Sequence, residues 1–389
     1  MIYFFVVLLG LISLVGIKFA KPDKFFDDYL DQEYTNAIKG IFVIMIFISH
    51  YRYFFFRDTS GNIPLDLFGQ KMVSMFFFYS GVGILESVKK KGKKYSNRLI
   101  IKFFAFHFKY AFMMTINYVI KKVINPNDKL NYKFLLRQYF ILDFGFQFNW
   151  FICTYILILF YSFISFLPFN NNNTLLPVIL VTLFIYFHYR LMIYLKKPSF
   201  YIDNIFNFPM GLLFSLYKGI FEKLIKKNDK TYYFILIVIS ILMYKIKFLE
   251  FKYLPTIITK NVIFSNLVIL ITLKVQFNNG LLQSMNKHSL GILMTQGMFF
   301  IIFKKYKSLK GNEYVEFIII FLLTVFSAIL FDESTDFIVS YFYKINVDKI
   351  LNKLTCFRNY HTIQENNKNN QFRLNSIILD DNLTLSVIK

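Results

Sequence analysis

Apolar runs long enough to span a bilayer recur along nearly the whole chain, and they restrict the fold more than any other feature. Inside a bilayer no water is present to satisfy backbone N–H and C=O groups, so only helices and closed barrels cross it. A barrel would show short segments of alternating polarity. These runs do not alternate. They lie at about 36–56, 67–88, 98–120, 146–168, 175–195, 205–221, 231–249, 255–277, 288–304 and 314–331. An earlier apolar segment, 2–20, lacks a basic leader and a small-residue cleavage site, and reads as a retained helix rather than a signal peptide. The expected fold is an all-α, multi-pass integral membrane bundle of about ten core transmembrane helices plus one N-terminal extra helix. A hydrophobic share of 56% and a mean hydropathy of +0.46 agree with that reading.

The organisation follows from the same pattern. Residues 1–20 form the N-terminal helix, 34–343 the main membrane domain, and 345–389 a polar tail. The tail includes Gln364–Gln371 (QENNKNNQ), a composition that cannot bury enough apolar surface to fold alone. Residues 121–145 are mixed and are expected along the membrane interface. No internal repeat is visible.

The net charge is +22, but it is scattered through loops between apolar runs. That placement suits attraction to anionic membrane lipids and does not call for nucleic acid. The loops at 89–98 and 218–230 are strongly basic and are assigned to the cytoplasmic side. The helix at 36–56 then runs outward. Two cysteines, Cys153 and Cys356, form no CxxC or His/Cys cluster, so neither zinc nor a disulfide framework is indicated.

Within Asn36–Tyr53 (NAIKGIFVIMIFISHYRY), Lys39 and His50 bracket an apolar run. Their spacing of eleven residues overshoots three full turns by only about 20°, so both leave one helix face, roughly 16 Å apart along the axis. Ionisable groups within a membrane are costly and usually face a polar cavity or a partner. The plainer alternative is that Lys39 snorkels to the interface and His50 caps a helix end.

Other candidates are spread along the chain. Phe76–Gly83 (FFFYSGVG) sets Ser80 and Gly81 in an aromatic run, suited to close helix packing or to the approach of a thin ligand. Glu86 ends that span, where it is either solvated or paired with a nearby lysine. Lys89–Lys94 (KKKGKK) and Arg98 suit either phosphate binding or anchoring on the cytoplasmic side. Trp150 has the default place of an interface-belt tryptophan. His107 and His188 read as packed or hydrogen-bonded core residues. Pro209-Met210-Gly211 is expected to break a span, and Gln296 to hydrogen-bond a ligand or a neighbouring helix. No P-loop, GxGxxG, GxSxG or HExxH is present.

In this order, these elements resemble the membrane-bound acyltransferase-3 family, over about residues 34–330. The family's basic residue, Gly, apolar run and His are similar to Lys39, Gly40, Ile41–Ile48 and His50. Its FF-x-SG motif is similar to Phe77, Phe78, Ser80 and Gly81. Arg98 matches the Arg that opens its third core helix, and Trp150, Phe151 and Ile152 its W-F-I segment. Its late S-x-G/E-I-Y-L-I-H segment is similar to Ser289 through Gln296. Three departures stand out: Lys39 replaces Arg, Gln296 replaces the late His, and Lys102 with no nearby Pro follows Arg98.

The resemblance implies a membrane-embedded enzyme that moves an acetyl or related short acyl group from acyl-CoA to a sugar hydroxyl of a surface polysaccharide or its lipid-linked precursor. Acetyl-CoA is then a co-substrate, with no permanently bound cofactor and no metal. The partners are the glycan acceptor and membrane lipids, and the place is the cell (plasma or inner) membrane of a bacterium. His50 is expected as general base or acyl carrier, and Lys39, Ser80, Gly81 and Arg98 as donor-binding residues. A transporter or flippase for a lipid-linked sugar, and a catalytically lapsed scaffold in glycan synthesis, are the alternatives.

Overall fold

The computed structural model describes residues 2–55, 65–126, 132–140, 150–169, 174–198, 201–246, 254–306 and 312–345. Among them are thirteen helices: α1 (Ile2–Leu14), α2 (Gln32–Phe55), α3 (Leu65–Lys91), α4 (Lys93–Ile124), α5 (Tyr132–Tyr139), α6 (Trp150–Phe166), α7 (Leu175–Tyr194), α8 (Asn207–Ile225), α9 (Asp229–Ile246), α10 (Leu254–Lys274), α11 (Gly280–Lys287), α12 (Ser289–Tyr306) and α13 (Glu313–Tyr343). Two three-residue strands, β1 (Ile17–Phe19) and β2 (Val275–Phe277), pair antiparallel with Ile17 opposite Phe277. The chain divides into two units, Met1–Phe342 and Tyr343–Lys389. The expected tail, apart from Ile345, lies outside the described residues, as does Cys356.

The fold is a helical membrane bundle. Five helices among the described residues are long and apolar enough to cross a membrane: Gln32–Phe55, Lys93–Ile124, Leu175–Tyr194, Thr256–Lys274 and Glu313–Tyr343. The other described helices are shorter or carry more polar residues, so this measure reaches five where ten core spans were expected. Large apolar side chains such as Phe187, Phe234, Leu322, Phe326 and Phe337 point outward from several helices. So much outward apolar surface suits lipid rather than water.

Small residues set the helix crossings. A Cβ on Gly81 would run into the Phe208 carbonyl of α8, and one on Gly211 would run into the Phe78 carbonyl of α3. The two backbones touch there, as small residues permit at membrane helix interfaces. Gly40 does the same for α2 and α11, since its Cβ would strike the backbone of Leu282. These contacts join α3 to α8 and α2 to α11.

Three local readings change. The first helix stops at Leu14, well short of the expected residue 20. Gly16 adopts a positive φ of 78°, and the chain turns there into β1. Pro209 does not break a span: α8 starts at Asn207, so the proline sits in the first turn, where its missing N–H costs no helical hydrogen bond. Trp150 is not a belt residue. It is 7% exposed and meets the Tyr201 and Phe151 rings edge-on.

The polar segment 21–31 is docked against the bundle rather than loosely linking α1 and α2. Phe26 N–H donates to the Leu273 carbonyl, Gln276 Nε2 donates to Asp28 Oδ1 at 2.6 Å, and Asp23 and Asp229 exchange backbone-to-carboxylate hydrogen bonds of 2.8 and 3.0 Å. The Lys226 ammonium lies 2.7 Å from Asp27 and holds its carboxyl below the ordinary carboxylate range.

Candidate active site

The site is built around α2. Gly40 lets α11 lie directly against it, and Asn286 Nδ2 on α11 donates to Asn36 Oδ1 on α2 at 2.9 Å. The Asn279 side chain caps α11, accepting from the N–H groups of Leu281 and Leu282. These contacts fix the Ser289 end of α12 beside Lys39. Between them lies a cavity of about 200 Å³. Its polar lining is Lys39, Ser80, Asn286 and Ser289; its walls are largely aromatic, from Phe76, Phe106, Phe151 and Tyr155.

Lys39 is the only cation among the described residues that line this cavity. Its ammonium sits over the Tyr79 ring at 5.3 Å, and among the described residues no carboxylate pairs with it. A cation–π contact offsets only part of the cost of desolvating an ammonium. The arrangement is therefore a cation with room beside it for an anionic ligand.

His50 does not line the cavity. It meets the side chain of Gln296 on α12, which is fully buried. The Gln296 amide also donates through Nε2 to the Leu293 carbonyl at 3.2 Å. Leu293 itself lines the cavity. One flank of α12 thus follows α2 from Lys39 to His50, in keeping with the same-face spacing of the two residues. The hydrogen bond of Gln296 stays within α12 rather than reaching a neighbouring helix, and Gln296 Oε1 is buried without a donor among the described residues.

The remaining candidates fall in different places. Ser80 lines the cavity, whereas its neighbour Gly81 faces the α8 backbone and serves the helix crossing. Arg98 is exposed near the start of α4, outside the cavity lining. Glu86 is paired: its Oε1 accepts from Lys89 at 3.0 Å and from Ser215 Oγ. Lys90, Lys91, Lys93 and Lys94 are exposed around Gly92, between α3 and α4. His188 is buried, with Nδ1 at 3.2 Å from the Tyr161 hydroxyl, and His107 is half-buried against Phe103. No group of His, Cys, Asp or Glu among the described residues could hold a metal ion.

One polar cluster was not anticipated. His288, at the joint between α11 and α12, places Nδ1 3.1 Å from Asp332 Oδ2 on α13. Lys109 on α4 reaches the other Asp332 oxygen at 3.4 Å and Asp336 at 2.7 Å. The cluster ties three elements together immediately beside Ser289. Its members lie 44 and 223 residues apart in sequence, so no local pattern announces them.

Neither the curated proteins nor the solved structures gave a match to this chain. A family model does: the acyltransferase-3 model, described as an acyltransferase domain, matches residues 32–333. The match opens at the first residue of α2 and runs past Asp332 of α13, so it takes in every residue of the cavity and the His50–Gln296 pair. This membrane protein belongs to the acyltransferase-3 family.

Proposed function

We propose that the protein transfers an acetyl or related short acyl group from acyl-CoA to a sugar hydroxyl of a surface polysaccharide or its lipid-linked precursor, at the cell membrane. The observation that carries this reading is Lys39: a cation without a carboxylate partner among the described residues, in a narrow aromatic-walled cavity that Ser80 and Ser289 also line. At about 200 Å³ the cavity is smaller than the roughly 300–1,000 Å³ of most ligand sites. It suits the slender pantetheine arm of a coenzyme A thioester and leaves the nucleotide outside. The phosphate end of that arm would lie against Lys39, and Ser80, Asn286 and Ser289 would offer hydrogen bonds to its amides. Arg98 and the exposed lysines near Gly92 would serve the nucleotide end.

The roughly 16 Å between Lys39 and His50 along α2 is about what an extended arm of a dozen or so bonds covers. An arm of that length, running past Leu293 beyond the cavity lining, would bring the thioester to His50. In the transfer step His50 takes the proton of the acceptor hydroxyl, and the alkoxide oxygen attacks the thioester carbonyl. The new C–O bond forms, the C–S bond breaks, and the thiolate leaves and is protonated by the imidazolium. A neutral imidazole carries a nitrogen lone pair that can take this proton and return it to the leaving thiolate.

The test uses membranes containing the protein and radiolabelled acetyl-CoA, with label followed into the host's surface polysaccharide. The native protein should transfer label, and His50→Ala should lower transfer by about 10²–10⁴-fold at equal membrane abundance. Undiminished transfer by His50→Ala would remove His50 from the chemistry. No transfer by the native protein with several acyl donors would favour a transporter or a scaffold instead.

A further inference from the structure

A further polar cluster lies inside the bundle, outside the cavity lining. Asn261 and Ser265 are four residues apart on the apolar span Thr256–Lys274 of α10, so they share a helix face. They meet Asn204 and Asn207, which lie just before and at the start of α8. Asn261 Nδ2 donates to the Asp203 carbonyl and to Asn204 Oδ1, both at 3.1 Å, and Asn207 Nδ2 donates to Ser265 Oγ at 3.4 Å. Asn204, Asn207 and Ser265 are at most 2% exposed and Asn261 6%. Two amide ends in this cluster are buried without a partner among the described residues, Asn204 Nδ2 and Asn207 Oδ1. Side chains that serve only to join helices pair their polar atoms, because an orphaned buried group forfeits its hydration for nothing.

The free ends define the chemistry that fits them. Asn261 turns its NH₂ group to the Asp203 carbonyl, so only the oxygen of Asn204 can face it, and the Asn204 NH₂ group is left over. Asn207 faces the Ser265 hydroxyl, which donates or accepts, so its free end is an oxygen in one orientation and an NH₂ group in the other. A hydroxyl group satisfies either case, because it carries one donor and two lone pairs. A carboxylate or phosphate meets only free NH₂ ends, and an ammonium only free oxygens. Asp203 and Lys260, the charged neighbours in sequence, are of opposite sign and hold contacts of their own. The cluster lies across α3 from the cavity. The carbonyl of Phe208, next to Asn207, packs against Gly81 of α3, and Ser80 beside it lines the cavity. Trp150 meets the ring of Tyr201, three residues before Asn204, while Phe151 lines the cavity. Aromatic rings around a few placed polar groups are the common make-up of a ligand site.

We propose that this cluster is a second ligand site, in which the free amide ends of Asn204 and Asn207 hold a hydroxyl of a saccharide. A water molecule offers the same donor and lone pairs and is the competing occupant. That the saccharide is the acyl acceptor rests on the acyl-transfer reading; the binding of a saccharide hydroxyl does not.

The experiment uses the full-length protein in lipid nanodiscs, without acetyl-CoA. The probe is a set of oligosaccharide fragments of the host's surface polysaccharide, stripped of acyl groups, and binding is read by saturation-transfer NMR. Two variants are compared with the native protein. Asn204→Ala removes one free end and leaves Asn261 its bond to the Asp203 carbonyl. Asn207→Leu combined with Ser265→Ala removes the other free end together with its partner, so that no new orphan is made. Each should weaken fragment binding by about three- to tenfold, as for one lost hydrogen bond, with Tm no lower than native. In the transfer assay each should raise KM for the polysaccharide by the same factor and leave KM for acetyl-CoA unchanged. Either variant, folded and inserted, suffices. Undiminished fragment binding in such a variant would leave the cluster to water and overturn the proposal, and so would the absence of fragment binding by the native protein. Fragment binding that the variants weaken, with no acyl transfer by the native protein, would uphold the site and refute the acyl-transfer reading.

Discussion

Lys39→Met separates binding from stability, because the two should move in opposite directions. Methionine keeps an unbranched apolar stem against Phe76 and Tyr79 but removes the charge. A hydrogen bond to a charged group is worth about 1.5–3 kcal/mol, so loss of a Lys39–phosphate contact should weaken donor binding by roughly 10- to 150-fold. The unliganded protein should respond the other way. No carboxylate among the described residues balances Lys39, and the Tyr79 ring at 5.3 Å returns only part of its desolvation cost. Removing the cation should stabilise the empty protein by about 1 kcal/mol, seen as a rise of a few degrees in Tm. Binding is read by equilibrium dialysis of an unreactive thioether analogue of acetyl-CoA against protein in nanodiscs, and Tm by tyrosine and tryptophan fluorescence. A Kd within about threefold of native, or a fall in Tm, would refute the placement of an anionic donor at Lys39.

Other substitutions probe the surrounding structure. Arg98→Ala should weaken the same analogue only about two- to fivefold, with the difference vanishing at high salt, because Arg98 is exposed. Asp332→Ala leaves Lys109 and His288 without their shared carboxylate; unfolding in mixed detergent should report a loss of about 3–5 kcal/mol, partly recovered when Lys109→Met is added. Gly40→Ala forces α11 away from α2 and should cost about 1–3 kcal/mol by the same assay, with donor binding weakened because Asn286 and Ser289 move together.

What the sequence revealed and what it hid have physical causes. Long apolar stretches set helices by composition alone, so the expected 175–195 span matches α7 (Leu175–Tyr194) and the 36–56 span lies within four residues of α2 at its start. The Lys39–His50 spacing is a property of one helix and survives in the fold. Of the motifs resembling those of one family, Lys39, Ser80, Phe151, Ile152 and Ser289 line a single cavity, whereas His50 and Arg98 do not. Gly81 shows the limit of such transfer, since a glycine motif beside the cavity answers to helix packing. Helix α11 went unnoticed because eight residues are too few to show a period between two long spans, and its place depends on Gly40, 240 residues away. The His288–Asp332–Lys109 cluster was hidden for a similar reason: each member is an isolated polar residue until three helices meet.

The pairing of β1 with β2 bears on how the protein is made. Strand β1 ends at Phe19 and its partner ends at Phe277, while the segment between α1 and α2 hydrogen-bonds to Leu273, Lys274, Gln276 and Asp229. At about 5–20 residues per second, the ribosome needs roughly 10–50 s after making β1 to complete β2. Throughout that time residues 17–19 have no strand to pair with, while most of the later helices are made. Residues 17–31, made long before their partners, are thus among the last to find their place, and ribosome-bound chains arrested before Val275 should leave them open to protease.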